Sequence, residues 1–119
     1  MKYTKKELDD ASKLIFTTIN NCEKMKLKFT EESSHHTLLK NRIRALKISW
    51  DLINNEHASD YKKTELELAI IPILSIIKKM EKAISKYDLE HPQYRWFTPI
   101  VDAMYIAKSC IEIELLRID

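Results

Sequence analysis

The sequence predicts an all-α fold, a four-helix antiparallel bundle built from two repeated helical hairpins. Two observations predict it. The segment Tyr3–Glu56 aligns without a gap on Tyr61–Glu114, so the chain repeats itself at an offset of 58 residues, and such a repeat defines an architecture. The 119 residues also contain no glycine, which disfavours sheets with tight hairpin turns. We expect one helical domain over 1–119, with repeats over 3–56 and 61–114.

The positions that the two copies share are mainly apolar residues at helical spacing, together with charged residues of helix surfaces. Identical pairs include Tyr3/Tyr61, Glu7/Glu65, Ala11/Ala69, Ile15/Ile73, Ile19/Ile77, Glu23/Glu81, Glu32/Glu90, Ala45/Ala103, Ile48/Ile106 and Glu56/Glu114.

The first hairpin begins with a capping-box pattern. Thr4 is the expected N-cap of a helix that starts at the next residue, with Glu7 three positions after the cap. The polar residues 30–34 end this helix, and Ser34 is the expected cap of the second helix. Residues 54–60 are polar and are expected to link the two repeats.

The third helix is expected from about Lys62 to Tyr87. It contains Pro72, but the repeat continues through this position without a gap, so we expect a kink and not a break. Its apolar residues extend nearly all round the helix, which is typical of a central or interface helix. The interface candidates on it are Ile70, Ile71 and Leu74.

The fourth helix has two candidate starts. It can begin at Pro92 with His91 as the cap, or Pro99 can be its first-turn proline after Thr98. The gapless repeat favours the earlier start, with a second kink at Pro99.

Composition excludes several classes of site. Without glycine the chain lacks the phosphate-binding loops and the nucleophile elbow, which need close backbone approach or strained turns. The net charge of +2 is too small to indicate a nucleic-acid partner. Cys22 and Cys110 lie on apolar helical stripes without a histidine at helical spacing, so we expect buried free thiols and no nucleophilic catalysis. We expect no enzyme and no cofactor.

The chain shows no targeting or membrane-spanning pattern. Its N-terminus lacks the apolar core of a signal peptide. The longest apolar run, Leu68–Ile77, is shorter than the roughly 20 residues that a spanning helix needs. We therefore expect a cytoplasmic protein without a membrane span.

The two hairpin loops carry carboxylates and imidazoles, which are ligands suited to zinc or another divalent metal. If the loops lie at the same end of the bundle, these side chains could meet there. The candidate ligands are Glu32, His36, Glu90 and His91, beside Glu31 and His35. Capping and solvation of the helix ends is the preferred interpretation, because the chain has no helical Glu-x-x-His motif of the di-iron carboxylate kind, which such a bundle would need on its interior.

Two surfaces differ between the copies. The second helix carries a basic face, Lys40, Arg44 and Lys47, beside Arg42, which share one side by helical spacing. The start of the fourth helix carries Tyr94, Arg95, Trp96 and Phe97, residue types enriched at binding hot spots. Trp96 aligns with Leu38, and core packing is the preferred interpretation for the aromatic group, with partner binding as the alternative.

The run 34–49 at the second helix, Ser-His-His-Thr-Leu-Leu-Lys-Asn-Arg-Ile-Arg-Ala-Leu-Lys-Ile-Ser, and the Tyr3 and Tyr61 segments resemble small duplicated helical proteins of low-GC Gram-positive bacteria and their mobile elements. The resemblance covers nearly the whole chain. The group has no assigned function, so it implies the duplicated helical fold and no catalytic residue. The second repeat departs from the pattern at Pro92–Arg95.

These patterns favour a non-enzymatic protein–protein interaction module whose partner is another protein or a second copy of the chain. One alternative is a bacteriocin-immunity-like protein, on the analogy of a small basic four-helix bundle. The other is a metal-binding protein that uses the two loops.

Overall fold

The computed structural model describes residues 2–54 and 60–118. Over these ranges the chain forms four α-helices and no strand: α1 (Lys5–Lys26), α2 (Ser34–Asn54), α3 (Lys63–Ile84) and α4 (Pro92–Ile118). They pack as an antiparallel bundle, so the predicted fold class is confirmed. No helix in these ranges is both long and apolar enough to cross a membrane.

The helix boundaries follow the offset of 58 residues. Both ends of α1 and α3, and the starts of α2 and α4, are separated by this number. The helix predicted to reach Tyr87 ends at Ile84, and Asn54 belongs to α2 and not to the linker. The rest of the predicted linker up to residue 59, with Glu56, lies outside the described residues.

The apolar stripes of all four helices meet in one core. Ile15, Leu46, Ile73 and Met104, one from each helix, are fully buried. Burying a side chain of this size contributes about 1.5–3 kcal/mol, so this shared core is what holds the four amphipathic helices together.

The bundle has a flattened, rhombic cross-section. Each helix packs against its neighbours, and α2 also touches α4 across the middle, whereas α1 and α3 make no contact within the described ranges. The long diagonal between α1 and α3 fits the overall dimensions of 41 × 39 × 20 Å. Both hairpin loops lie at the same end, because neighbouring helices run antiparallel.

Contacts between the hairpins are reciprocal. Tyr3 at the start of α1 shares a hydrogen bond of 3.1 Å with Ser109 of α4, and the Tyr61 hydroxyl before α3 donates to Asp51 of α2. Ser109 and Asp51 are themselves 58 positions apart. Each repeat therefore places its tyrosine against the second helix of the other repeat.

A second pair of contacts recurs within the hairpins. Glu23 of α1 pairs with Lys47 of α2 at 3.7 Å, and Glu81 of α3 accepts a hydrogen bond of 3.1 Å from the Tyr105 hydroxyl of α4. The partners of both glutamates also differ by 58 positions.

Two of the three predicted helix caps are confirmed by the structure. The Thr4–Glu7 capping box is present, and His91 caps α4 because its Nδ1 accepts from the Gln93 amide at 3.1 Å. The prediction for α2 was wrong by one residue. Ser33, and not Ser34, is the cap, since its Oγ accepts from the His36 amide at 3.1 Å.

Both internal prolines lie inside continuous helices. α3 runs through Pro72, and α4 starts at Pro92 and runs through Pro99. The earlier start of α4 is therefore confirmed. Thr98, just before Pro99, donates its hydroxyl to the Tyr94 carbonyl at 2.7 Å.

Candidate functional site: the groove between helices two and three

A groove of about 430 Å³ runs along the line where α2 meets α3. We call it the α2–α3 groove. Residues at helical spacing on each helix form its walls. They are Asn41, Arg44, Ala45 and Ile48 from α2, and Glu65, Leu68, Ala69, Ile71 and Pro72 from α3.

Small and large residues have separate roles in this groove. Ala45 and Ala69 are buried at its floor, where short side chains let two helices approach closely. Leu68 and Ile71 lie on its outer side and remain 65% and 64% exposed. Two large aliphatic side chains three residues apart are thus exposed beside a concave surface, and apolar surface of this kind is a candidate for partner binding.

The interface candidates predicted on the third helix occupy different environments. Ile71 lines the groove, Leu74 is exposed one turn further along α3, and Ile70 is half-buried against the core. Leu68, which the interface prediction omitted, is as exposed as Ile71. Leu68 precedes Ile71 by three residues and so lies on the same face of α3, and this spacing could have predicted it as an interface candidate.

The predicted basic face lies along one edge of the groove. Lys40, Arg44 and Lys47 line a second depression of about 400 Å³, and Lys26 of α1 joins them there. Glu23 pairs with Lys26 at 3.4 Å and with Lys47 at 3.7 Å. The second depression thus holds these four cations with two carboxylates, Glu23 and Glu65, and it adjoins the α2–α3 groove at Arg44, Ile48 and Glu65.

The opposite side of the molecule has an equivalent groove between α1 and α4, which encloses about 220 Å³. We call it the α1–α4 groove. All eight residues that line it are 58 positions from a residue of the α2–α3 groove. They are Glu7, Asp10, Ala11 and Leu14 from α1, and Pro99, Asp102, Ala103 and Ile106 from α4.

The two grooves have the same residue type, alanine, at the floor, and they differ in the side chains at the rim. Ala45 and Ala69 match Ala103 and Ala11, whereas Arg44 corresponds to Asp102 and Leu68 to Asp10. The α1–α4 groove carries three carboxylates, and the α2–α3 groove carries an arginine, a glutamate and the exposed aliphatic pair. The scaffold is common to both grooves, so the difference lies in side chains that the fold does not require.

A buried arginine lies next to the α2–α3 groove. Arg42 of α2 is only 9% exposed, and its Nη2 lies 3.5 Å from Ser75 Oγ, a long contact for a hydrogen bond. Its Nε has no hydrogen-bond partner among the described residues. Ser75 follows the groove residues Ile71 and Pro72 by one helical turn, so the contact between Arg42 and Ser75 lies one turn beyond these lining residues of α3.

The aromatic group of α4 is not buried as predicted. Trp96 is 71% exposed, because α4 turns this position to solvent just as α2 turns the aligned Leu38, which is also exposed. Tyr94 and Phe97 are half-buried, and Arg95 is exposed. The preferred core interpretation was therefore wrong for Trp96, which lies outside both grooves.

The loop residues do not assemble a metal site. Among residues 2–54 and 60–118, no three His, Cys, Asp or Glu side chains are grouped closely enough to hold a metal ion. The ring of His35 instead stacks on Phe29 at 4.9 Å, and that of His91 lies 4.4 Å from Tyr87. Glu32, His36, Glu90 and His91 therefore do not form such a group, and the imidazole of His91 is engaged in capping α4.

Both cysteines are free and buried, as predicted. Burial raises the pKa of each thiol, and at Cys22 the positive charge of Arg42 opposes this effect only in part. A raised pKa lowers the thiolate fraction and with it nucleophilic reactivity. The thiols therefore act as small apolar groups of the core.

Comparison with known proteins gives no match: no family model, curated protein or solved structure is significantly similar to this chain. The resemblance to duplicated helical proteins stays a prediction, and the function has to be argued from the grooves.

Proposed function

We propose that this protein is a non-enzymatic interaction module that binds a helical segment of a partner protein in the α2–α3 groove. Leu68 and Ile71 carry the proposal, because two large aliphatic residues are exposed together in a concave surface with a basic edge. Helix-in-groove recognition uses an apolar floor for anchor residues and charged edges for orientation.

The equivalent groove supports this assignment. Duplication of a hairpin produces two grooves that are identical at first. Exposed aliphatic residues without a function would then be expected equally in either groove. Here Leu68 and Ile71 correspond to Asp10 and Lys13, which are ordinary surface residues. The apolar pair and the basic edge occur together in only one of the two described grooves.

Site-specific photo-crosslinking tests the proposal. A photoreactive residue at position 71 is expected to give a discrete covalent adduct in cells of the native host. The matched control is the same residue at position 13, the equivalent exposed site on α1, which should give none. Equal adducts from both positions, or none from position 71, would overturn the proposal.

The mass of the adduct identifies the kind of partner. A species of twice the 14.1 kDa chain mass means that the groove binds a second copy. Any other discrete mass means that it binds a different protein.

A further inference from the structure

The buried Arg42 is not explained by the fold. The matching position in the second repeat is Ile100, so the scaffold accepts an aliphatic residue there. A buried charge that lacks a paired carboxylate is destabilising. An apolar residue of similar volume at this position would give a more stable fold.

The surroundings of Arg42 also differ between the copies. Ser75 and Lys79 on α3 correspond to Thr17 and Asn21 on α1. The positive charges of both Arg42 and Lys79 act on the Cys22 thiol, which places these two cations in one region of the bundle. None of the three matching positions, Ile100, Thr17 and Asn21, carries a charge.

None of the ion pairs between described residues includes Arg42. Its fork of donors is a match for a planar oxyanion, since a guanidinium can bind a carboxylate with two parallel hydrogen bonds. Ser75 is the one polar partner that the described residues offer it, at 3.5 Å, and it adds a hydroxyl donor beside the guanidinium.

The contact between Arg42 and Ser75 adjoins the residues that line the groove. On α2, Asn41 and Ala45 flank Arg42, and on α3, Ile71 and Pro72 lie one turn before Ser75. Lys40, Arg44 and Lys47 then line the edge of the same surface. A partner in the groove would meet the aliphatic side chains and the cations along one edge, and the mostly buried guanidinium of Arg42 lies about one turn beyond the lining residues of α3.

We propose that the partner segment is an acidic amphipathic helix, and that one of its carboxylates pairs with Arg42 beside Ser75. This inference rests on the proposed function of the α2–α3 groove and names the chemistry of its occupant. The aliphatic side chains of the helix pack on Leu68 and Ile71, and its remaining carboxylates face Arg44 and Lys47.

Two synthetic peptides of about 18 residues, roughly five helical turns, test the proposal. Both carry leucine at helical spacing on one face, and the flanks carry glutamate in one peptide and lysine in the other. Binding is followed by amide chemical-shift changes of the isotope-labelled full-length protein. The acidic peptide is expected to shift the residues of the α2–α3 groove and to bind at least about tenfold more tightly than the basic one.

A matched pair of variants tests Arg42 itself. Arg42→Met should weaken the acidic peptide about tenfold, the loss of one charge-assisted contact. Arg95→Met makes the same change in net charge at an exposed arginine outside the groove, and it should leave binding within about twofold, because exposed charges are screened. The amide spectrum of each variant shows whether it is folded.

The outcomes separate this inference from the proposed function. If both peptides shift the groove residues with equal affinity, the acidic partner is wrong and the groove remains a binding face. If neither peptide shifts groove residues at millimolar concentration, both proposals fall. If Arg42→Met and Arg95→Met weaken binding equally, the pairing with Arg42 is wrong.

Discussion

Arg42 places a guanidinium inside the helical bundle, and its Nε has no hydrogen-bond partner among residues 2–54 and 60–118, which lowers the stability of the fold. Leaving a buried donor unsatisfied costs about 1–3 kcal/mol, and Arg42 carries such a donor while only 9% exposed. Sites that serve binding are often less stable than the scaffold would allow. The stability that Arg42 costs the fold is therefore consistent with a role of this residue in the binding that we propose.

Removing this charge should stabilise the protein. Arg42→Met is expected to raise the free energy of unfolding by about 1–3 kcal/mol, because it removes an unsatisfied buried donor and retains most of the side-chain volume. Urea denaturation measures the change. Arg44→Met, at an exposed position of the same helix, should stay within about 0.5 kcal/mol. A loss of stability for Arg42→Met would show that the guanidinium has a partner that contributes to the fold.

Tyr61 should titrate late. Burial, followed by the hydrogen bond to Asp51, raises the pKa of this phenol from 10.0 to about 12. The unfolded chain therefore loses the proton at a lower pH than the folded protein, so this stabilisation is complete below pH 10 and is lost as the pH rises through about 12. Ultraviolet absorbance titration should show one tyrosine with a pKa near 12 in the wild type, and this tyrosine should be absent from the titration curve of Tyr61→Phe.

Tyr3→Phe is the control for that titration. Tyr3 is the matching tyrosine of the first repeat, but its hydrogen-bond partner is the neutral Ser109. A tyrosine with a pKa near 12 that survives in Tyr61→Phe would contradict the assignment.

At the scale of helices, the local patterns predicted most of the boundaries. The Thr4–Glu7 capping box and the start of α4 at Pro92 were found as expected, because capping depends on residues close in sequence. The start of α2 was missed by one residue, since Ser33 and Ser34 are adjacent and both can cap a helix. Only the backbone conformation distinguishes them.

The two serines give a direct test of that boundary. Ser33→Ala should destabilise the protein by about 1 kcal/mol, because it removes the acceptor for the His36 amide. Ser34→Ala, inside the first turn and exposed, should change stability by less than about 0.5 kcal/mol. Thermal unfolding followed by circular dichroism compares them, and the reverse order of effects would place the cap at Ser34.

At the scale of the whole molecule, the sequence predicted surface features that lie on a single helix and did not predict those that two helices form together. The basic face of Lys40, Arg44 and Lys47 follows from spacing on α2 alone. The α2–α3 groove needs the relative position of two helices, which the spacing within either helix does not determine. The exposure of Trp96 was missed for a related reason, because apolar character alone does not tell which side of α4 faces the core.

The repeat predicts matched energetics in the core. Ile15 and Ile73 occupy equivalent positions, and both are fully buried. Ile15→Ala and Ile73→Ala should each cost about 2–5 kcal/mol, and the two costs should agree within about 1 kcal/mol, because the cavities have similar surroundings. Urea unfolding of both variants measures this. Lys13→Ala, on the exposed side of α1, serves as the surface control, and strongly unequal costs for the isoleucines would contradict equivalent hairpins.

The central claim is that activity lies where the two copies differ, in the α2–α3 groove. Exchanging groove residues between the copies tests it most directly. Arg44→Asp with Leu68→Asp gives this groove the residues of the α1–α4 groove, and Asp102→Arg with Asp10→Leu is the matched exchange on the other side. Circular dichroism verifies that both double variants fold.

The yield of the photo-crosslinked adduct from position 71 is the decisive measurement. The first double variant should reduce it at least about tenfold, as expected when anchor residues of an interface are replaced, and the second should leave it unchanged. An undiminished adduct in the first variant, or equal losses in both, would contradict the account.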